Sequence, residues 1–235
     1  MQTPPRKTHL QRGKRQNFVK KIIMGDKPLE VEDLTLEQVV HQVGAFQFEE
    51  PMSREFFVEL TERYPDLRME READGKILIM SPVKRGTSKR EAKIFGLLFL
   101  WHYQTKLGEP HGPSIGFDLP DGATRSPDAS WISPERLADD DGNEETFAQV
   151  VPDFVAEVRS SSDRLKPLQK KMTDTWLANG VRLGWLIDPY EEKAYIYRPD
   201  RAVEVVVGFA GKILSGEAVL AGFELPLEEM KRQLK

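Results

Sequence analysis

Cysteine is absent from the 235 residues, which excludes a disulfide framework and any thiolate zinc or iron–sulfur site. Histidine is scarce: His9, His41, His102 and His111 lie far apart and lack ligand spacing. A metal, if one binds, must then be held by carboxylates, and such a donor set suits a hard ion such as magnesium or manganese. No apolar run approaches the ~20 residues a membrane span needs. The N-terminus lacks a signal-peptide core, so a cytoplasmic location without a membrane partner is expected. Net charge is only −4, too small to point to a partner, and the placement of charge is more informative than its sum. What is present is 39% apolar and 31% charged residues, enough for a substantial core with a well-charged surface.

Residues 1–30 read as a basic arm. Up to Lys27, Arg6, Lys7, Arg12, Lys14, Arg15, Lys20, Lys21 and Lys27 stand against the single acid Asp26, and this composition predicts disorder. The arm reads equally as a contact for nucleic-acid phosphates or as a solvated tail, with a transit peptide as the third reading. Residues 31–235 read as one domain without internal repeats. A short helix is expected over 35–43, with Thr35 as its cap, and a second from Ser53 to Pro65. Two alternating runs around Ala73-Asp74-Gly75 predict a hairpin over 67–80. Leu67, Met69 and Arg71 share one face of its first arm, and Arg68, Glu70 and Glu72 the other.

A helix is predicted over 87–106, apolar at Ile94, Leu97, Leu98 and Trp101. Lys84, Arg85, Lys89, Arg90 and Lys93 cluster at its start, against the macrodipole, a placement that makes sense if an anion such as a nucleic-acid phosphate docks there; the other reading is an ordinary solvated helix face. Strands are expected over 114–119 and across Ala129–Ser133 (ASWIS), with a surface loop or weak helix over 135–145. Residues 151–189 read as strand, helix and strand, followed by an antiparallel extension (194–197, 203–207) and a closing hairpin. Ser160, Ser161 and Ser162 are expected to cap the helix. Asp153 reads as structural, Asp188-Pro189 as a turn, and Trp101, Trp131, Trp176 and Trp185 as core.

One residue resists a bland reading. In the strand after Val151, Glu157 is a carboxylate in mid-run, sharing a face with Asp153, Val155 and Arg159. A buried charge must be paired or bind a metal. Asp128 opens a different strand after Pro127. Two carboxylates brought together on neighbouring strands repel unless a cation lies between them, and a divalent metal there can activate water and neutralise a phosphate.

Pro127-Asp128 followed by Glu157-Val158-Arg159 resembles the PD-(D/E)XK nuclease pattern. The wider text, through LRMEREADGKILIMSP, DGATRSPDASWISPERL, VPDFVAEVRSSSDRLKPLQKKM, NGVRLGWLIDP and YIYRP, resembles the bacterial "Uma two" family of restriction-type endonucleases. That resemblance implies an α/β (α+β) fold, a restriction-endonuclease-like mixed β-sheet flanked by helices with an antiparallel β extension. It also implies a Mg²⁺-dependent endonuclease site, with Mn²⁺ as the other candidate ion. Asp128 and Glu157 match the metal-holding acids, and Glu70 an acid that completes the metal sphere, with Glu72 as its substitute. The motif's lysine is replaced by Arg159, which stays protonated and cannot act as a base. The next helix offers Leu165, Leu168, Met172 and Trp176 as an apolar stripe with Lys171 on its margin, able to send its ammonium to the sheet edge. Lys171 is expected as the catalytic lysine and Arg159 as a phosphate clamp. The expected substrate is DNA, cut by a two-fold homodimer by analogy. A nuclease-fold binding protein without turnover, or a nuclease for RNA or branched substrates, stays open.

Overall fold

A computed structural model describes residues 22–24, 27–29, 36–43, 45–140 and 142–232. The chain begins with a short antiparallel pair, β1 (Ile22–Met24) and β2 (Lys27–Leu29), then helix α1 (Leu36–Val43) and strand β3 (Phe46–Gln47). Helix α2 (Arg54–Arg63) leads to the hairpin β4 (Arg68–Arg71) and β5 (Ile77–Met80), and helix α3 spans Arg85–Thr105. Short strands β6 (Glu109–His111), β7 (Phe117–Asp118) and β8 (Thr124–Arg125) precede β9 (Ala129–Ile132), the one-turn helix α4 (Pro134–Leu137) and β10 (Phe154–Val158). Helix α5 (Leu165–Lys170) runs directly into a π-helical stretch, Lys171–Leu177. Strands β11 (Leu183–Asp188), β12 (Lys193–Tyr197) and β13 (Glu204–Val207) follow, and β14 (Ile213–Ser215) pairs with β15 (Glu224–Pro226).

The larger sheet has the order β13-β12-β11-β10-β9-β6. Only β10 and β11 are parallel within it, in register Glu157↔Leu186. The segment between them supplies the crossover that a parallel pair requires. Strands β10 and β11 are buried along their whole length, as their near-continuous apolar runs demand. On one face Phe154, Ala156, Val158, Trp185 and Ile187 pack against Ile94, Leu98 and Trp101 of α3. On the other, Val155, Leu186, Tyr195 and Tyr197 pack against Met172 and Trp176. The second sheet, β3-β5-β4-β8-β7, shares an apolar cluster with α1 and α2 through Val39, Phe57, Met69, Ile77 and Ile79. This is the mixed α/β architecture expected from the pattern.

Local rules explain most boundaries. Ser53 accepts the Phe56 amide hydrogen at 3.1 Å and caps α2. Gly75, at φ 88°, turns the β4–β5 hairpin, and a Cβ there would lie 2.9 Å from the Met52 carbonyl oxygen. Three expectations differ. The strand over 114–119 shortens to Phe117–Asp118, where β8 is available for pairing. The serines do not cap α5: its cap position is Arg164, without a side-chain bond, and Asp163 instead accepts the Ser160 amide hydrogen at 2.7 Å in a turn before the helix. The helix after that turn departs from α geometry at Lys171. The basic arm, β1 and β2 apart, and the Thr35 cap lie outside the described residues.

Candidate active site

Strand alternation turns Glu157 to the face of β10 covered by the π-helical stretch. Its Oε1 accepts hydrogen bonds from Trp176 Nε1 and Lys171 Nζ, each at 2.9 Å. In an α-helix, residues five apart diverge by about 140°. A π-turn, with its i→i+5 bonds, returns them towards one face, which lets Lys171 and Trp176 grip the same oxygen. Lys171 Nζ also lies 3.0 Å from Glu70 Oε1. That oxygen accepts the Ser126 amide hydrogen at 3.1 Å, and Glu70 Oε2 takes Arg125 Nη1 at 2.9 Å. Arg125 bonds Glu72 as well. Glu157, Lys171, Glu70, Arg125 and Glu72 therefore form a chain of alternating charge from one sheet to the other.

This chain sets the protonation states. Burial works to raise the Glu70 carboxyl, but the charges of Lys171 and Arg125 and the donated hydrogen bonds outweigh it and hold it at about 2. Burial also works against the Lys171 ammonium, and Glu157 and Glu70 reverse that, raising it above the ordinary lysine value. Lys171 is thus a fixed cation and donor.

Asp128 sits at the start of β9, only 7% exposed. Its Oδ2 accepts the Val158 amide hydrogen at 2.7 Å, one residue beyond Glu157. Burial, and then the charges of Glu157 and Glu91, push its carboxyl well above the ordinary aspartate range. Glu91 enters from α3. It is buried, its Oε1 has no hydrogen-bond partner, and its carboxyl too is raised, by burial first, with Glu157 adding to the effect and Arg68 opposing it. Arg68 Nη2 stands 3.8 Å from Asp128 Oδ1.

The structure therefore brings together Asp128, Glu157, Lys171 and Glu70, but not in the arrangement read from the motif. Glu70 does not join Asp128 and Glu157 in a metal sphere, because both of its oxygens are taken by Arg125, Ser126 and Lys171. Among the described residues, no three side chains of His, Asp or Glu stand close enough to hold an ion as placed. Arg159 is also engaged elsewhere. Its Nη1 bonds the fully buried Asp188 at 2.7 Å, its Nε the Asp163 carbonyl at 3.3 Å, and its guanidinium lies 5.6 Å from the Tyr190 ring. At the start of α3, Lys84, Arg85 and Lys89 are exposed. Arg90 is buried and bonds the carbonyls of Met230, Gly86 and Lys231, and Lys93 pairs with Glu229. These two tie α3 to the C-terminal segment, which corrects their reading as open phosphate contacts. Asp153 holds the Ser133 amide and Arg182, a structural role.

Sequence reasoning missed Glu91 and Arg68. Glu91 did leave a signal, since it continues the stripe of Ile94, Leu98 and Trp101 at helical spacing and so puts a charge on a buried face. Arg68 left none beyond sharing a strand face with Glu70.

Comparison with known proteins bears on the family and the fold. The model of the family described as "Uma2: Putative restriction endonuclease" matches residues 54–228, a span that contains every residue of the charge network. A solved structure described as "a putative nuclease belonging to DUF820 from Anabaena variabilis" is similar, with a TM-score of 0.64, 20% identity, and coverage of 77% of this chain and 97% of that one. At that identity the likeness shows the fold. A search of curated proteins found no match.

Proposed function

The chain belongs to the Uma2 restriction-endonuclease family, and from that premise we propose that it is a metal-dependent endonuclease that hydrolyses phosphodiester bonds in DNA. The observation that carries the reading is the apposition of Asp128 and Glu157 on neighbouring strands, with the Asp128 carboxyl driven up by burial and then by the charges of Glu157 and Glu91. Three buried acids (Asp128, Glu157 and Glu91) lie within electrostatic reach, and a carboxylate oxygen of Glu91 is left unpartnered. That donor set is all oxygen and short of positive charge, so it fits Mg²⁺ or Mn²⁺. Asp128 and Glu157 would hold the ion, with Glu91 as the third candidate in place of Glu70. A cation bound there supplies an activated water and charge neutralisation at the phosphate.

The chain's own residues do the rest. Lys171, kept protonated between Glu157 and Glu70, donates to the charge that builds on the phosphate oxygens as water attacks and the P–O bond breaks. It is not the base, because its proton is too tightly held. Glu70 positions Lys171, and Trp176 fixes the Glu157 carboxylate from the other side. Lys84, Arg85 and Lys89 would meet backbone phosphates beyond the cut, and a two-fold pair of chains would cut both strands.

The test is nicking of supercoiled plasmid with Mg²⁺ or Mn²⁺. Asp128→Ala and Glu157→Ala should each lower the rate on the order of a thousandfold or more while the protein stays folded. Equal cleavage by all three proteins would refute the assignment. Competition with single-stranded, branched and RNA substrates decides the substrate class, and tight DNA binding without nicking would leave a binding protein.

A further inference from the structure

Arg68 stands on the same face of β4 as Glu70, on the side opposite the buried Met69. Three observations taken together set it apart from the other arginines near the site. Its Nε, like that of Arg125, is buried without a hydrogen-bond partner. Its nearest carboxylate oxygen, Asp128 Oδ1, is 3.8 Å from Nη2, beyond hydrogen-bond length. Its side chain is still 31% exposed, so solvent or a ligand can reach it. By contrast Arg125 is engaged by Glu70 and Glu72, Arg159 by Asp188, and Arg90 by main-chain carbonyls. A guanidinium with unmatched donors beside acids that crowd one another is poorly explained as a stability device. A well-formed ion pair would close the remaining distance, and a buried pair offers little net stability even then. The planar fork of an arginine matches two oxygens of a tetrahedral phosphate.

We propose that Arg68 is a phosphate-binding residue of this site, holding the non-bridging oxygens of the backbone phosphate presented to Asp128 and Glu157. It takes the place that Arg159 leaves by pairing with Asp188. The proposal rests on the nuclease reading, and its test separates the two. The affinity of a short fluorescent duplex is measured against salt concentration, in EDTA and again with Ca²⁺ in place of Mg²⁺. Loss of one phosphate contact should flatten the slope of log K against log salt by about one in Arg68→Ala and Arg68→Gln, with Arg68→Lys keeping it. Single-turnover cleavage with Mg²⁺ should fall about a hundredfold or more in Arg68→Ala, and only partly recover in Arg68→Lys, which keeps the charge but not the fork.

A methylphosphonate at the mapped cleavage position should weaken binding to the wild type about tenfold or more and to Arg68→Ala no further. A counter-ion role alone would leave that sensitivity intact. Folded Arg68→Ala and Arg68→Gln proteins with the wild-type slope and wild-type sensitivity to the methylphosphonate overturn the proposal. Should Arg68→Ala fail to fold, Arg68→Gln and Arg68→Lys carry the same comparison. Wild-type protein that binds DNA but never cuts it removes the nuclease reading, and the salt slope still decides Arg68. Wild-type protein that binds DNA in neither buffer overturns both.

Discussion

Replacing Glu70 by glutamine should make stability less dependent on acid. In the folded protein burial works to raise this carboxyl, yet Lys171, Arg125 and the Ser126 amide hold it at about 2, against an ordinary 4.5. The gap between those values corresponds to about 3 kcal/mol of preference for the ionised group in the folded state. Glu70 is 2% exposed, so solvent screening removes little of this. The sign follows from the lowered value: the stabilisation is fully present above pH 4.5 and is lost as pH falls from there towards 2. Glutamine keeps the shape and an acceptor for Ser126 but gives up the charge, while Lys171 retains Glu157 and Arg125 retains Glu72. Urea unfolding of both proteins from pH 7 down to pH 3 measures the difference. Glu70→Gln should be less stable by about 2–3 kcal/mol from neutral pH to about pH 5, and the difference should shrink below pH 4.5. A difference that stays constant through pH 3, or equal stability at pH 7, would refute the account of Glu70 as a paired anion.

Asp128 has the opposite sign, since its raised carboxyl means that ionisation costs the folded state stability. Asp128→Asn should therefore melt at a higher temperature than wild type in EDTA at pH 7–8 while losing cleavage, and a lower Tm with retained nicking contradicts it. Trp176→Phe removes the indole donor to Glu157 Oε1 and should cost about 1–3 kcal/mol in urea unfolding; no change would mean that Lys171 alone satisfies that carboxylate. Gly108 sits at φ 56°, and a Cβ there would lie 2.2 Å from the Ile132 carbonyl oxygen and 2.5 Å from the Trp131 ring. Gly108→Ala should lose about 2 kcal/mol or more by the same measurement, and a neutral result would show that the turn after α3 is free to move.

Elements whose signals are local can be read directly from the residues. Alternation marked β10 and singled out Glu157. The Asp-Gly pair marked the β4–β5 hairpin, and the stripe of Leu168, Met172 and Trp176 put Lys171 on the margin that meets the sheet. What these charges do depends on how the chain packs. Lys171 and Glu70 are 101 residues apart in the chain, and Arg159 and Asp188 are 29 apart, so no spacing rule could pair them. The widening of the helix at Lys171, which accompanies the shared contact of Lys171 and Trp176 with Glu157, likewise has no local signal. Glu70 read as a metal ligand because a carboxylate on the right strand face satisfies that pattern equally well with cations or with donors from the protein. Which of the two it meets depends on Arg125 and Lys171 arriving from other elements. Electrostatic roles are set by distance in space at low dielectric, and that distance exists only once both sheets and the crossover have packed.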